Sequence, residues 1–175
     1  MQDILNKAAK VKLVIFDVDG VLTDGSLYIA DNGEEYKAFN SKDGHGMRIL
    51  QDAGIDVAII TGRVSRVVQH RMKELGVKYV FQGRREKAPA YRELLETTGL
   101  SPEQTAYVGD DVVDLPVMSQ VGLAIAVQDA HSYVKYHAHW VTDRCGGQGA
   151  ARDVCELILQ AHGLLDELWS SYVSS

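Results

Sequence analysis

One apolar run that ends in two acidic residues constrains the fold of this chain most strongly. Residues 12–16 read Lys-Leu-Val-Ile-Phe, and Asp17, Val18 and Asp19 follow at once. An apolar run of this length without polar alternation predicts a strand buried on both faces, as in a parallel sheet. Gly20 predicts that the chain then leaves regular structure and brings its backbone close to a ligand.

The two carboxylates have a functional interpretation and a purely structural one. Asp17 and Asp19 repel each other unless a cation or a shared proton lies between them, which favours an active site. An acidic strand-to-loop turn without function remains an alternative for this segment alone. A calcium-binding loop is excluded, because Gly20 is the fourth residue counted from Asp17 and an EF-hand loop needs glycine at the sixth position.

Length and composition predict one globular domain over residues 1–175, because 46% of the residues are hydrophobic and no run is long enough to span a membrane. The polar segment 1–10 lacks the apolar core of a signal peptide, so we expect a cytoplasmic location. The net charge of −6 argues against nucleic-acid binding. Cys145 and Cys155 lack metal or redox spacing and are predicted to be reduced structural thiols.

The segment after the first strand predicts a small projecting hairpin. Asn32-Gly33 lies between two alternating runs, which predicts a β-hairpin over about residues 26–39. We expect a loop at 40–46, followed by a short helix with Met47, Leu50 and Ala53 inward.

The rest of the chain alternates between strand and helix patterns. Strands are predicted at 56–60, 77–81, 105–108 and 123–127, with a short sixth at 140–142. The helix patterns include one with Val64, Val68, Met72 and Leu75 inward, and an amphipathic tail at about 164–175. Such alternation predicts a doubly wound parallel sheet of the α/β class, Rossmann-like, with helices on both faces.

Four polar signals converge in this fold. Ligands of doubly wound sheets bind beyond the carboxyl ends of the strands, where Asp17, Thr61 and Asp110 each follow a predicted strand. Lys87, at the start of a helix, is able to reach the same edge. Asp17 and Asp110 suit Mg²⁺, which takes one or two carboxylates together with substrate phosphate oxygens. The sequence thus predicts a magnesium-dependent phosphoryl-transfer site.

This chemistry assigns a role to Asp17, Asp19, Thr61 and Lys87. Lys87 and Thr61 would bind phosphoryl oxygens in a transition state that is stabilised mainly by charge and position. Asp17 is free to act as the nucleophile and to form an aspartyl-phosphate. Asp19 would protonate the leaving oxygen and later activate water.

The four motifs resemble, in order, those of the haloacid dehalogenase superfamily phosphatases. They are Asp17-Val18-Asp19-Gly20-Val21, Thr61-Gly62, Lys87, and Gly109-Asp110-Asp111 with Asp114. The resemblance implies that Asp17, the backbone carbonyl of Asp19 and the carboxylate of Asp110 hold the metal. Asp111 and Asp114 are then expected to support these ligands.

The spacing of the motifs leaves no room for a cap domain. Only the hairpin and one short helix fit between Asp17 and Thr61, and only a helix and a strand fit between Thr61 and Lys87. Within the superfamily, the chain is similar to capless enzymes that act on phosphorylated 2-keto-3-deoxy sugar acids in lipopolysaccharide sugar synthesis. The implied substrate is 3-deoxy-D-manno-octulosonate 8-phosphate, with N-acylneuraminate or 2-keto-3-deoxynononate 9-phosphate as alternatives.

Substrate contacts are predicted around the motifs. Arg63 offers a bidentate fork for the carboxylate of a sugar acid, and Lys42 and Arg84 are weaker candidates. Asn40 and Gly62 belong to segments that carry the resemblance and are further candidates. The glycines at 146–149 have two open interpretations, an anion site at a helix N-terminus and simple loop flexibility.

The hairpin and the C-terminal tail are the candidates for contacts between subunits. The hairpin has apolar groups on both faces, and the resemblance implies a homotetramer in which hairpins line neighbouring active sites. The amphipathic tail is a second candidate for contact with a neighbour.

A phosphorylatable receiver domain uses the same residue types, but its acidic pair ends the first strand and its acceptor comes later. Here the order is reversed, which favours the enzyme.

Overall fold

A six-stranded parallel sheet forms the centre of the computed structural model, which describes residues 1–174. The strand order is β5-β4-β1-β6-β7-β8, and a separate hairpin pairs β2 with β3. In chain order the strands are β1 (Leu13–Phe16), β2 (Tyr28–Ile29), β3 (Glu35–Tyr36), β4 (Asp56–Ile60), β5 (Tyr79–Phe81), β6 (Thr105–Gly109), β7 (Leu123–Ala126) and β8 (Trp140–Val141).

Helices flank the sheet. They are α1 (Gln2–Ala8), α2 (Ser41–Asp52), α3 (Arg66–Glu74), α4 (Lys87–Thr98), α5 (Leu115–Met118), α6 (Ser132–His137), α7 (Ala150–Ala161) and α8 (Leu165–Ser174). Single 3₁₀ turns lie at Pro102–Gln104 and Val112–Asp114. One group of packed helices contains α1, α2 and α7, and another contains α4, α5 and α6. The predicted doubly wound α/β fold is confirmed, and the chain between β1 and α2 forms no more than the hairpin.

The apolar runs of the sequence become the middle of the sheet. Every residue of β1, β6 and β7 is buried, because helices cover both faces of these strands. The parallel register pairs Phe16 with Ile59 on one side and with Val108 on the other. The chain therefore leaves β1, β4 and β6 at the same edge of the sheet.

Three local predictions were wrong. The segment 40–46 is not a loop, because α2 already begins at Ser41, where the side chain of Asn40 accepts the Lys42 N–H at 2.8 Å. This N-cap offsets the low helix propensity of the glycines that follow. Ala53, expected inward, is the exposed C-cap of α2. Val64, expected on the inner face of α3, precedes that helix and is 78% exposed.

The predicted hairpin is present, and its turn is a three-residue loop. The Gly33 N–H donates to the Ala30 carbonyl and the Ala30 N–H donates to the Glu34 carbonyl, both at 2.8 Å. Gly33 has φ of 82°, whereas Asn32 has negative φ. This is the turn in which one left-handed residue follows a type I turn, and glycine adopts that conformation without strain.

The tail folds back on its own chain as α8. The Arg152 guanidinium lies 5.2 Å from the centre of the Trp169 ring, and Tyr172 Oη lies 3.0 Å from His45 Nε2. Ser175, the last residue of the predicted tail, lies outside the described residues. Among residues 1–174, the helices are all too short or too polar to cross a membrane.

Candidate active site

The carboxyl ends of the central strands bring the motif residues together. Asp17 follows β1, Thr61 follows β4 and Asp110 follows β6. Asp17 donates its backbone N–H to the Val108 carbonyl at 3.1 Å, which continues the ladder one residue beyond β1. This edge is where doubly wound sheets bind ligands.

Lys87 reaches Asp17 from the start of α4. Its Nζ lies 3.0 Å from Asp17 Oδ1, and both side chains are buried. Lys87 is the first residue of α4, so the helix places its ammonium over the end of the sheet. A buried ammonium is stable only with charged or hydrogen-bonding partners, and its partners here are acidic.

Asp114 links the polar groups beneath the site. Its Oδ1 lies 2.6 Å from Lys87 Nζ and accepts the Tyr107 hydroxyl at 2.7 Å. Its Oδ2 accepts the backbone N–H groups of Asp110 at 3.0 Å and Asp111 at 3.2 Å. Asp114 is fully buried, so one carboxylate fixes both the lysine and the loop that carries Asp110.

Tyr107 was missed by the sequence analysis. It lies in the apolar strand β6, and its hydroxyl also lies 3.2 Å from Lys87 Nζ. Its polar tip was the available signal, since a buried tyrosine hydroxyl usually needs a partner.

Burial and crowding of acids set the electrostatics of the site. Burial raises the pKa of Asp17 to about 6, with Lys87 opposing the shift and Asp114 adding to it. Burial, followed by the charges of Asp114 and Asp17, raises the pKa of Asp110 to about 8. Burial alone would lower the pKa of Lys87, but the charges of Asp17 and Asp114 raise it overall.

These residues fit a divalent cation. Asp17, Asp110 and Asp114 each offer a carboxylate oxygen, and these oxygens lie within 4.8 Å of one another. Both oxygens of Asp114 already accept hydrogen bonds, so Asp17 and Asp110 are the better ligands. An all-oxygen donor set with excess negative charge suits a hard ion such as Mg²⁺.

Asp19 lies beside the base of the hairpin. Its Oδ1 forms an ion pair with Lys37, and its Oδ2 lies 3.9 Å from Arg63 Nε. Glu35 Oε1 lies 3.2 Å from Lys37 Nζ and 2.8 Å from Arg63 Nη2. Lys37 was missed by the sequence analysis, although the alternation of Glu35, Lys37 and Phe39 along one face was a usable signal.

The remaining candidate residues lie around this centre. Thr61 is buried, and its N–H donates to the Phe81 carbonyl at 2.9 Å; Gly62 follows it. Arg84 forms an ion pair with Glu93 at 3.1 Å.

Two further candidates lie at the N-terminus of α2, and one beyond β6. There Asn40 is the N-cap, whose amide also donates to the Gly147 carbonyl at 3.4 Å, and Lys42 is exposed. Asp111 is exposed and accepts the Val112 N–H at 2.7 Å.

The glycine segment 146–149 packs against the first motif. The Gly147 N–H donates to the Val21 carbonyl at 2.9 Å, and a Cβ on Gly146 would lie 1.8 Å from the Gly20 carbonyl oxygen. The carboxylate of Asp43 accepts the N–H groups of Gly149 at 3.3 Å and Arg152 at 2.8 Å. Asp43 therefore caps α7, and close packing explains the glycines better than either earlier alternative.

Comparisons with known proteins agree with this geometry. Residues 80–152 match the haloacid dehalogenase-like hydrolase family. The chain is 51% identical to the 3-deoxy-D-manno-octulosonate 8-phosphate phosphatase of Yersinia pestis, over 94% of this chain and 88% of that protein.

Solved structures give the same result. A probable YrbI family phosphatase from Pseudomonas syringae superposes with a TM-score of 0.97 at 48% identity, covering 99% of this chain and 98% of that one. The 3-deoxy-D-manno-octulosonate 8-phosphate phosphatase of Moraxella catarrhalis, crystallised with magnesium, phosphate and 3-deoxy-D-manno-octulosonate, has a TM-score of 0.96 at 39% identity, covering 98% and 99%. The chain therefore belongs to the haloacid dehalogenase-like hydrolases, within the family of the 3-deoxy-D-manno-octulosonate 8-phosphate phosphatases.

Proposed function

We propose that this protein is a magnesium-dependent phosphatase that hydrolyses 3-deoxy-D-manno-octulosonate 8-phosphate to 3-deoxy-D-manno-octulosonate and phosphate. The observation that carries the proposal is the buried contact of Lys87 with Asp17, next to Asp110 at the carboxyl ends of β1 and β6. The relatives named above are phosphatases, which favours an enzyme over a receiver domain. N-acylneuraminate and 2-keto-3-deoxynononate 9-phosphates are the alternative substrates.

The proposed reaction has two steps. A carboxylate oxygen of Asp17 attacks phosphorus, the bond to the sugar oxygen breaks, and that oxygen takes a proton from Asp19. Water then attacks the aspartyl-phosphate and gives a proton to Asp19, and the bond between phosphorus and Asp17 breaks. Phosphate leaves, and both carboxyl groups return to their starting states.

The surrounding residues bind and orient the phosphoryl group. Lys87 and Thr61 would hold its oxygens and stabilise the charge of the transition state. Mg²⁺, held by Asp17, Asp110 and the backbone carbonyl of Asp19, would supply further positive charge when bound. Asp114 supports this set through its contacts with Lys87 and the Asp110 N–H, and Asp111 supports it by capping the following turn.

Recognition of the sugar acid is assigned to the rim of the site. Arg63 is the first candidate for the substrate carboxylate, because its side chain is 46% exposed and its guanidinium lies beside Asp19. Lys42 is exposed in the first turn of α2, and Arg84 is partly exposed despite its pair with Glu93. Asn40 and Gly62 are proposed to shape the same rim.

We also propose a homotetramer in which hairpins line neighbouring active sites. The exposure of Leu27, Tyr28, Ile29 and Tyr36 on the hairpin supports this arrangement. A single domain over residues 1–175 and a cytoplasmic location stay predictions from the sequence.

A panel of phosphorylated sugars tests the substrate. The measurement is kcat/KM with Mg²⁺ for the octulosonate 8-phosphate, the two nine-carbon 9-phosphates and neutral hexose phosphates. We expect the eight-carbon acid to be preferred. Equal turnover of neutral hexose phosphates would contradict the specificity and leave the phosphatase activity standing, whereas preference for a nine-carbon acid would reassign the substrate.

A further inference from the structure

Lys37, at the base of the hairpin, is a buried cation that contacts the first motif. The Lys37 side chain is only 1% exposed, although it directly follows Tyr36, the exposed last residue of β3. Its ammonium contacts two carboxylates, Asp19 of the first motif and Glu35 of the preceding strand β3. Lys37 thus joins the hairpin to the loop that carries the proposed acid and base.

Burial of the Lys37 ammonium is favourable only while its contacts with the two carboxylates are kept. An ammonium removed from water costs several kcal/mol unless opposite charges and hydrogen bonds replace its hydration. Lys37 has Asp19 and Glu35 in that role. The carboxylate of Asp19 is consequently held on the side that faces the hairpin, instead of being free to rotate about its side-chain bonds.

Glu35 and Arg63 make this arrangement a closed set of alternating charges. Glu35 Oε1 bridges Lys37 and Arg63, and Asp19 faces the same two cations through its two oxygens. With Asp19 ionised, two positive and two negative groups give no net charge, so the set offers orientation more than a strong local field. When Asp19 carries the proton that it donates, Lys37 keeps Glu35 as a charged partner and stays in place beside the Asp19 carboxyl group. Oδ1 of Asp19 is held by its ion pair with Lys37, and Oδ2 lies 3.9 Å from Arg63 Nε, which limits how the carboxylate can turn.

Asp19 must approach one atom of the substrate with defined geometry. General acid catalysis requires the proton donor within hydrogen-bond reach of the leaving oxygen, and a small displacement costs a large part of its effect. We infer that Lys37 is a positioning residue: anchored on the hairpin by Glu35, its buried ammonium holds Asp19 where it protonates the leaving oxygen. This inference rests on the proposed phosphatase function and gives the hairpin a role within its own chain.

A series of leaving groups separates positioning from simple support of the fold. An aryl phosphate such as 4-nitrophenyl phosphate releases a stable anion and needs little protonation, whereas an alkyl or sugar phosphate needs a proton donor. The parameter is kcat/KM, which reports the steps up to departure of the leaving group and excludes the later attack of water. For Lys37→Met we expect a loss of about 10- to 100-fold on alkyl and sugar phosphates, and less than about threefold on 4-nitrophenyl phosphate.

Control variants keep the test decisive. Lys73→Met removes an exposed lysine from the last turn of α3 and should leave both rates unchanged. Lys37→Gln retains a hydrogen-bond donor, so its loss of kcat/KM on alkyl and sugar phosphates should be smaller than that of Lys37→Met. It replaces Lys37→Met in the test if that variant does not fold. Melting temperatures and circular dichroism establish that each variant compared is folded.

Three outcomes contradict the inference. An equal loss on all leaving groups in a folded variant assigns Lys37 a structural role, and no loss makes the ion pair dispensable. A gain on alkyl phosphates would mean that Lys37 keeps Asp19 away from the substrate. If the unaltered protein hydrolyses none of these phosphates, it is the proposed phosphatase function that fails.

Discussion

Asp114 is a single residue on which four other groups of the site depend. Its two oxygens serve Lys87, the Tyr107 hydroxyl and two backbone N–H groups, and no solvent reaches it. Removing one partner of a buried charge pair is much more costly than losing a surface pair, because the other charge stays buried without compensation. Asp114 therefore determines the position of Lys87 without being assigned a bond to the substrate.

Asp114→Asn tests this dependence. We expect kcat/KM on phosphate monoesters to fall by about 100-fold, because a preorganised charge contact is worth about 3 kcal/mol. Unfolding free energy should fall by about 3 kcal/mol or more. Tyr107→Phe is the matched control, since it keeps Asp114 and loses only the hydrogen bonds of its hydroxyl with Asp114 and Lys87, each worth about 1 kcal/mol. Activity of Asp114→Asn close to that of the unaltered protein would contradict the assignment.

The raised pKa values of Asp17 and Asp110 predict a pH-dependent stability. With a chelator present, the folded protein binds more protons than the unfolded chain between about pH 4 and pH 8, since both acids titrate higher when folded. Stability should therefore fall as pH rises through this window. Mg²⁺ favours the charged carboxylates, so its stabilising effect should grow with pH.

Melting temperatures in chelator and in excess MgCl₂ across this pH range measure both effects. Asp110→Asn removes one of the two titrations and should flatten the curve recorded in chelator. A curve with the same slope in Asp110→Asn and in the unaltered protein would contradict the predicted coupling.

At the scale of elements, the strands can be predicted from the sequence and several contacts between elements cannot. β1, β6, β7 and the part of β4 after Asp56 are mainly apolar runs, and their burial is expected from that pattern. The start of α2 depends on the cap formed by Asn40, which competes with glycines that favour a loop. Lys37 and Tyr107 are missed because burial of a polar tip depends on partners distant in sequence.

The contact between the first motif and the 146–149 segment is such a case. A Cβ at Gly146 would overlap the Gly20 carbonyl, so Gly146→Ala should displace the loop that carries Asp19 and lower kcat. Gly54→Ala is the control, because no atom lies within 4 Å of that position although φ is +83°. It should cost about 1 kcal/mol of stability and leave activity unchanged. Equal specific activities of the two variants would contradict the predicted coupling.

At the scale of the whole molecule, the chain has a buried sheet and an uncovered hairpin. Tyr28 is 51% and Ile29 62% exposed, and a two-stranded hairpin is marginal in water without cover. Its base is held within the chain by Lys37 and Glu35, whereas its apolar strands have no comparable cover in the described residues. A second copy of the chain is the partner that symmetric assembly would supply.

Light scattering tests this assembly. We expect a mass of about four times 19.3 kDa, and Ile29→Lys should reduce it by placing a charge in the interface. Tyr136→Lys is the control, since Tyr136 is 82% exposed and lies on α6, which packs mainly on β7 and α5. A monomeric mass with full activity would contradict a site shared between subunits.

Rapid-quench mass spectrometry with Mg²⁺ and the octulosonate 8-phosphate tests whether Asp17 is the nucleophile. We expect a transient phosphoryl group on the peptide that contains Asp17, and neither this group nor phosphate release in Asp17→Asn. Phosphate release by Asp17→Asn at the rate of the unaltered protein would show that Asp17 is not the nucleophile.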